Sequence, residues 1–310
     1  MNPILQYGLN ALVYIGIFAI VSLSLNLEYG YTGLASFGKV AFFMIGAYAY
    51  GLSVAAGIPW PLAIVIAAAV AAFFGFIVSL PAIRLREDYL AIVTLTFGEI
   101  LRLILKNENW LAHGVWGINI PMAISIGNNP YQTGLFINIG LVGGILAACF
   151  IFLQLLANSP YGRILRAVRD DEVAADALGK NRSRYKTQAF MMGSAMAGIA
   201  GALFAQYVGH IEPASFMPIL TFTIWIMVIL GGPANNWGAV VGAALVQLFD
   251  RGTDILKDYI HLPIDPTNLE YIMFGLIIIF ILMYRPSGLF KESKINTLGT
   301  RRALRWLNRS

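Results

Sequence analysis

Cysteine is all but missing from this sequence. Cys149 stands alone inside an apolar run, which leaves no disulfide framework and no cysteine-based metal site. Histidine is nearly as scarce: His113, His210 and His261 lie far apart, without the His-Glu spacing of a metallohydrolase. No nucleophile elbow is present either, so neither a catalytic set nor a metal or cofactor site is expected of the chain. Charge is also thin. With 12% charged residues against 58% hydrophobic ones and a mean hydropathy of +0.71, a soluble globular class is excluded. The net charge of +5 is no nucleic-acid signature, because seven of the 21 basic residues sit in residues 158–187 and seven more follow Tyr284.

What the sequence does have is apolar runs of about 20 residues, each long enough to cross roughly 30 Å of hydrocarbon. In lipid every backbone polar group needs an internal partner, so these runs predict helices. The first, about residues 7–27, has no Lys or Arg ahead of it and no small-residue cleavage pattern behind it. It reads as a retained helix rather than a signal peptide. Alternating the runs gives an all-α polytopic bundle of about nine spans (eight to ten), a single membrane domain over residues 1–310 with short or discontinuous helices. Basic residues favour the cytoplasmic face. Arg84 with Arg86, the 158–187 loop and the basic tail at 286–310 therefore all fall on the cytoplasmic side of a cell (inner or cytoplasmic) membrane, with the N-terminus outside and the C-terminus cytoplasmic. The connection at 107–133 carries no Lys or Arg after residue 107 and falls outside.

The 158–187 loop is the long charged run enclosed between apolar spans. Its middle, residues 171–179, is rich in helix formers and stops at Gly179, which predicts a short surface helix. It is either an ordinary solvated loop or a lever for a soluble partner.

Two other stretches predict irregular backbone at membrane depth. Residues 28–39 open a span with three glycines, Thr32 and Ser36; such backbone is tolerated in a membrane only when buried in protein or lining a cavity. The same residues imitate a phosphate loop from Gly33 to Lys39, but Val40 replaces the required hydroxyl and no strand precedes the loop. Any ATP must therefore bind another chain. Farther on, two short apolar runs, about 216–230 and 237–249, meet at Gly231-Gly232-Pro233-Ala234-Asn235-Asn236. Either a re-entrant hairpin or two tilted spans fits. Glu99 and Arg102 lie three apart on one helix and can pair, either neutralising each other or lining a path. Gly193, Ala197 and Gly201 offer a small-residue face to a neighbouring helix or subunit. Asp250, Asp254 and Asp258 form an acidic face just beyond the second short run. Arg301, Arg305 and Arg309 share a face suited to anionic membrane lipid.

Several of these segments together resemble a known family. Ala174-Ala175 followed by Gly179 is similar to the "EAA…G" coupling loop of ABC-importer permeases, with Val173 where the family has Glu and the acids at Asp171 and Glu172. The run from Ser159 to Glu172, the Gly30-Tyr31-Thr32-Gly33-Leu34 segment, Asp88-Tyr89-Leu90-Ala91-Ile92-Val93-Thr94-Leu95 with Phe97-Gly98-Glu99-Ile100, and Ile229-Leu230-Gly231-Gly232 resemble the branched-chain amino-acid permeases of the LivM/LivH type. The resemblance covers about residues 26–290. It implies a transport subunit rather than an enzyme, paired with a second homologous permease, two ATPase subunits and an extracellular substrate-binding protein. It also implies that Asp171, Glu172, Ala174, Ala175 and Gly179 couple to the ATPase. Urea or short-amide permeases share these signatures, and an ion-coupled secondary transporter using Glu99 is the rival from another class.

A path for a zwitterionic amino acid needs an apolar wall and local dipoles, which broken helices supply through their free N–H and C=O ends. Thr32, Ser36, Thr94, Thr96, Glu99 and Asn235 are the candidate lining residues, and residues 30–38, 94–96 and 231–238 are expected to converge.

Overall fold

The computed structural model describes residues 3–82, 87–121 and 130–259, and, beyond these, 275–276, 279, 283–285 and 287–292. Long helices dominate: α1 (Pro3–Leu25), α2 (Lys39–Ala55), α3 (Trp60–Ala82), α4 (Glu87–Asn107), α6 (Pro130–Asn158), α9 (Arg182–Val208), α10 (Ile219–Gly231) and α11 (Asn236–Tyr259). The short helices α5 (Asn109–Ala112), α7 (Pro160–Asp170) and α8 (Glu172–Ala177) lie in the connections. Among the described residues four segments are long and apolar enough to cross a membrane: Gln6–Gly30, Trp60–Pro81, Gly134–Asn158 and Arg182–Val208. The shorter apolar helices Lys39–Ala55 and Ile219–Gly231 begin or end at backbone breaks, as their glycines predict. The ninth expected span, the basic tail, His261 and the Arg84/Arg86 pair fall wholly or mostly outside the described residues.

The centre of the bundle is α9. Its small-residue stripe finds its partners within the chain: a Cβ on Gly201 would lie 1.9 Å from the Phe43 carbonyl oxygen, and one on Gly46 would lie 2.2 Å from that of Gly198. Helices α2 and α9 therefore touch backbone to backbone, which only a missing side chain permits. Apolar residues from α1, α2, α9 and α10, such as Leu23, Phe43, Leu203 and Met227, fill the surrounding core. Gly201→Leu is expected to abolish recovery of a monodisperse protein, since overpacking costs about 1–3 kcal/mol even where neighbours can shift, and here the obstacle is main chain. Gly140→Ala, with nothing within 4 Å of its Cβ, should be recovered like the parent. Size-exclusion profiles and thermal unfolding in detergent check both.

Helices α10 and α11 form an antiparallel hairpin packed through Gly231, Gly238 and Gly242; a Cβ on Gly242 would lie 2.0 Å from the Met227 carbonyl oxygen. The apolar run stops at Phe249, but the helix continues as one piece to Tyr259, 24 residues in all. Asp250 thus belongs to a long helix, not to a separate segment; the side chains of Asp254 and Asp258 lie outside the described residues. Arg251 is accommodated by stacking its guanidinium 4.1 Å over the Tyr14 ring.

The two ends of the bundle differ. At one, a two-residue antiparallel ribbon pairs β1 (Ile118–Asn119) with β2 (His210–Ile211), joining the 109–121 connection to the turn after α9. At the other lie α7, α8 and residues 287–292. The expected helix at 171–179 is α8, and a second helix, α7, precedes it.

Candidate functional site

The two backbone breaks meet. Helix α1 ends in a π-helical turn, Asn26–Gly30, and α11 starts after the Gly232–Asn235 turn. Asn26 bridges them: its Oδ1 accepts from Ala234 N at 2.8 Å and its Nδ2 donates to Asn236 Oδ1 at 3.1 Å. Tyr31 donates to the same Asn236 oxygen at 3.1 Å, and Asn236 Nδ2 donates to Gln154 Oε1 of α6 at 3.0 Å. Asn26, Tyr31 and Asn236 are buried. Buried polar groups must be paired, so side-chain amides here replace bonds the interrupted helices have given up. Approach is so close that a Cβ on Gly30 would lie 2.4 Å from Ala234 N.

The same turn holds an ion pair. Lys39 Nζ, at the start of α2, donates to Glu28 Oε1 at 2.5 Å, and both side chains are 0% exposed. Lys39 thus points into the core, away from any phosphate that the imitation loop might suggest. Gly193 of α9 roofs the pair, its Cβ position lying 2.3 Å from Glu28 Oε1. Thr32 donates to the Glu28 carbonyl, closing the π turn from the other side.

Between the breaks, residues 33–38 run irregularly and are held by their neighbours. Trp225 Nε1 donates to the Ser36 carbonyl at 3.1 Å, and Phe37 N donates to Thr94 Oγ1 at 3.0 Å. The Phe37 and Trp225 rings stack at 4.7 Å. Beside them a narrow cleft with a cavity of only about 10 Å³, room for about one water, is lined by Gly38, Val40, Met44, Leu95, Glu99 and Thr221. Glu99 is held in a two-pronged bond by Arg102, at 2.9 Å from Nε and 2.5 Å from Nη2.

The predicted residues divide accordingly. Thr32, Ser36 and Thr94 are buried around the irregular segment, and Glu99 edges the cleft. Thr96 does not join them: it is exposed on the opposite face of α4 from Thr94, because residues two apart on a helix point nearly opposite ways. Asn235 caps α11 by accepting from Gly238 N at 3.1 Å and donates to the Lys291 carbonyl at 2.9 Å. Its neighbour Asn236 is the buried member. Asn26, Glu28, Gln154, Trp225 and Asn236 escaped the sequence reading; the signal available was polarity inside apolar runs.

At the α7–α8 end the predicted coupling residues cluster on one small helix. Asp171 ends α7 and caps α8, accepting from Val173 N at 2.9 Å and Ala174 N at 3.0 Å. Glu172 is gripped by Arg182 at 2.9 Å and by Lys186. Ala175 packs inward, while Ala174 is exposed. Gly179 takes the left-handed conformation (φ 75°) that turns the chain toward α9. Beside the exposed Asp171, Asp176 and Lys180, two aliphatic side chains stand outward: Val173 is 74% and Leu178 79% exposed.

A bundle of apolar helices with paired internal breaks, a polar seam at depth and a capped helix at one end is a multi-pass membrane transport protein. The model of the family described as branched-chain amino acid transport system / permease component matches residues 7–282, and the chain belongs to that family. It is 32% identical to the probable branched-chain amino acid transport permease protein LivM of Methanocaldococcus jannaschii, over 92% of this chain and 94% of that one. It is likewise 32% identical to the high-affinity LivM permease of Escherichia coli, over 90% of this chain and 68% of that one. The LivH permease of the same bacterium is 26% identical, over 94% and 96%. No solved structure matches.

Proposed function

We propose that this chain is one permease subunit of a binding-protein-dependent ABC importer and forms part of the membrane path for branched-chain amino acids. It works beside a second homologous permease. The α7–α8 end faces the cytoplasm, where two ATPase subunits dock, and the ribbon end faces the binding protein. Family membership together with the exposed, capped α8 carries this reading: a short helix whose acids are bonded within the chain and which holds Val173 and Leu178 out to solvent is built to be covered. The breaks at residues 26–38 and 231–236, with the cleft beside Glu99, are the part of the path this chain supplies. They offer main-chain dipoles and an apolar wall without a free charge that would hold a zwitterion. Glu99, already neutralised by Arg102, is poorly suited to carry protons or ions, which weighs against the secondary transporter.

The test is uptake in proteoliposomes holding both permeases, the ATPases and the binding protein. Labelled leucine should accumulate only with ATP and binding protein present, should survive collapse of the proton gradient, and should not be displaced by excess urea. Accumulation by this chain alone, driven by a gradient and lost in Glu99→Gln, would replace the proposal with the secondary transporter. Displacement by urea or acetamide would move the substrate to the amides.

A further inference from the structure

We infer that Arg166, Arg169 and Glu292 form a clasp that passes movement of α7–α8 to both helix breaks. The inference rests on the coupling role proposed above and names the residues that transmit it. Arg166 and Arg169 lie three apart on one face of α7. Arg169 reaches the first break directly, its Nη1 donating to the Gly30 carbonyl at 2.5 Å. Arg166 reaches it through the Tyr31 ring, over which its guanidinium sits at 5.0 Å, and the Tyr31 hydroxyl continues to Asn236 at the start of α11. Glu292 ties the two arginines together, with Arg169 Nη2 at 3.0 Å from Oε2 and Arg166 Nε at 3.2 Å from Oε1.

Glu292 is itself anchored to the second break. The segment before it donates from Leu289 N to the Leu230 carbonyl and from Phe290 N to the Gly231 carbonyl, both at 2.9 Å. Gly288 packs so tightly on Gly232 that a Cβ there would lie 2.4 Å from its Cα. From the arginine pair these contacts lead to both breaks: to the Gly30 carbonyl and the Asn236 side chain, and through the Glu292 segment to the Leu230 and Gly231 carbonyls. The Arg169 guanidinium has little play, because a planar donor set bonded to Gly30 on one side and Glu292 on another fixes both distance and angle. Burial works against the charge of Arg169, but Glu292 and Asp170 outweigh it and hold the guanidinium above its ordinary pKa. On the other side α7 joins α8 through the single residue Asp171, whose amide closes α7 while its carboxylate opens α8. A push on α8 therefore turns α7, and the clasp carries that turn to Gly30 and Gly231 together.

Glu292→Gln and Arg169→Ala are each to be reconstituted in the complete transporter, and ATP hydrolysis and leucine uptake measured on the same vesicles. Both variants should hydrolyse ATP within about twofold of the parent while uptake falls about tenfold, within the usual range of coupling free energies. Glu292→Asp should recover part of the uptake. Uptake and hydrolysis falling in step, with ATPase subunits lost from the complex, would make these residues mere scaffolding and overturn the inference. So would parental uptake in both variants. A parent complex that takes up leucine without ATP defeats the transporter reading instead, and the clasp falls with it.

Discussion

Lys39→Ala should leave almost no folded protein, and Glu28→Gln should be nearly as damaging. Each removes one partner of an ion pair whose two side chains are completely buried. Withdrawing one charge leaves the other desolvated and unpaired, at a cost of about 3–5 kcal/mol. Native stabilities are typically only about 5–15 kcal/mol. No nearby group can take over, because Glu28 is roofed by Gly193 and its second oxygen has no hydrogen-bond partner among the described residues. The pair also staples the π turn to the start of α2 across eleven residues of interrupted helix, so its loss frees the irregular segment as well. Thermal unfolding in detergent and the yield of monodisperse protein read the effect. The combined Glu28→Gln, Lys39→Met variant should recover most of the stability, since neutral residues of similar volume often replace a buried pair without penalty. Single variants as stable as the parent would mean that water reaches the pair. A stable double variant that no longer transports would assign the pair a part in the path.

How much of this was legible beforehand depends on whether a feature is local. Helix positions and both breaks followed from apolar length and from glycine, because backbone satisfaction in lipid is a local demand. The extent of α11 did not. Asp250 and Arg251 ended the apolar count, yet hydrogen bonding inside a helix is indifferent to side-chain polarity, and Tyr14 on α1 supplies the stacking surface that lets Arg251 stay. The α9 stripe was visible as spacing, but its partner on α2 is a tertiary fact. Glu28 looked like one polar residue in a glycine-rich loop; that Lys39 answers it across the break required the fold. Thr94 and Thr96 could have been separated from helix geometry alone. At α8 the sequence drew attention to the acids, while the fold engages them in a helix cap and an ion pair and leaves Val173, the position that departs from the family pattern, on the outside.

That outward face yields the other large effect. On the docking role proposed for α8, Val173→Glu together with Leu178→Glu should detach the ATPase subunits while leaving the permease folded. Both side chains are mostly solvent-exposed in this chain and contribute little to its core, so charging them costs the isolated bundle almost nothing. At an interface the balance changes. Burying an aliphatic side chain is worth about 1.5–3 kcal/mol, and the loss of two such contacts corresponds to at least about a hundredfold in affinity, before the cost of burying two new charges. ATPase retained on a tagged permease through size-exclusion chromatography should therefore fall to background, with uptake lost in parallel and the permease's own melting unchanged. Asp171→Ala offers the contrasting case. It removes the cap of α8 and costs about 1 kcal/mol of local helix stability, so retention should weaken only partially and recover with Asp171→Asn, which keeps the capping oxygen but not the charge. Full ATPase retention and normal uptake in the Val173, Leu178 double variant would show that the subunits dock elsewhere on this end. Equal losses in Asp171→Ala and Asp171→Asn would instead make the carboxylate charge, rather than the cap, the feature the ATPase reads.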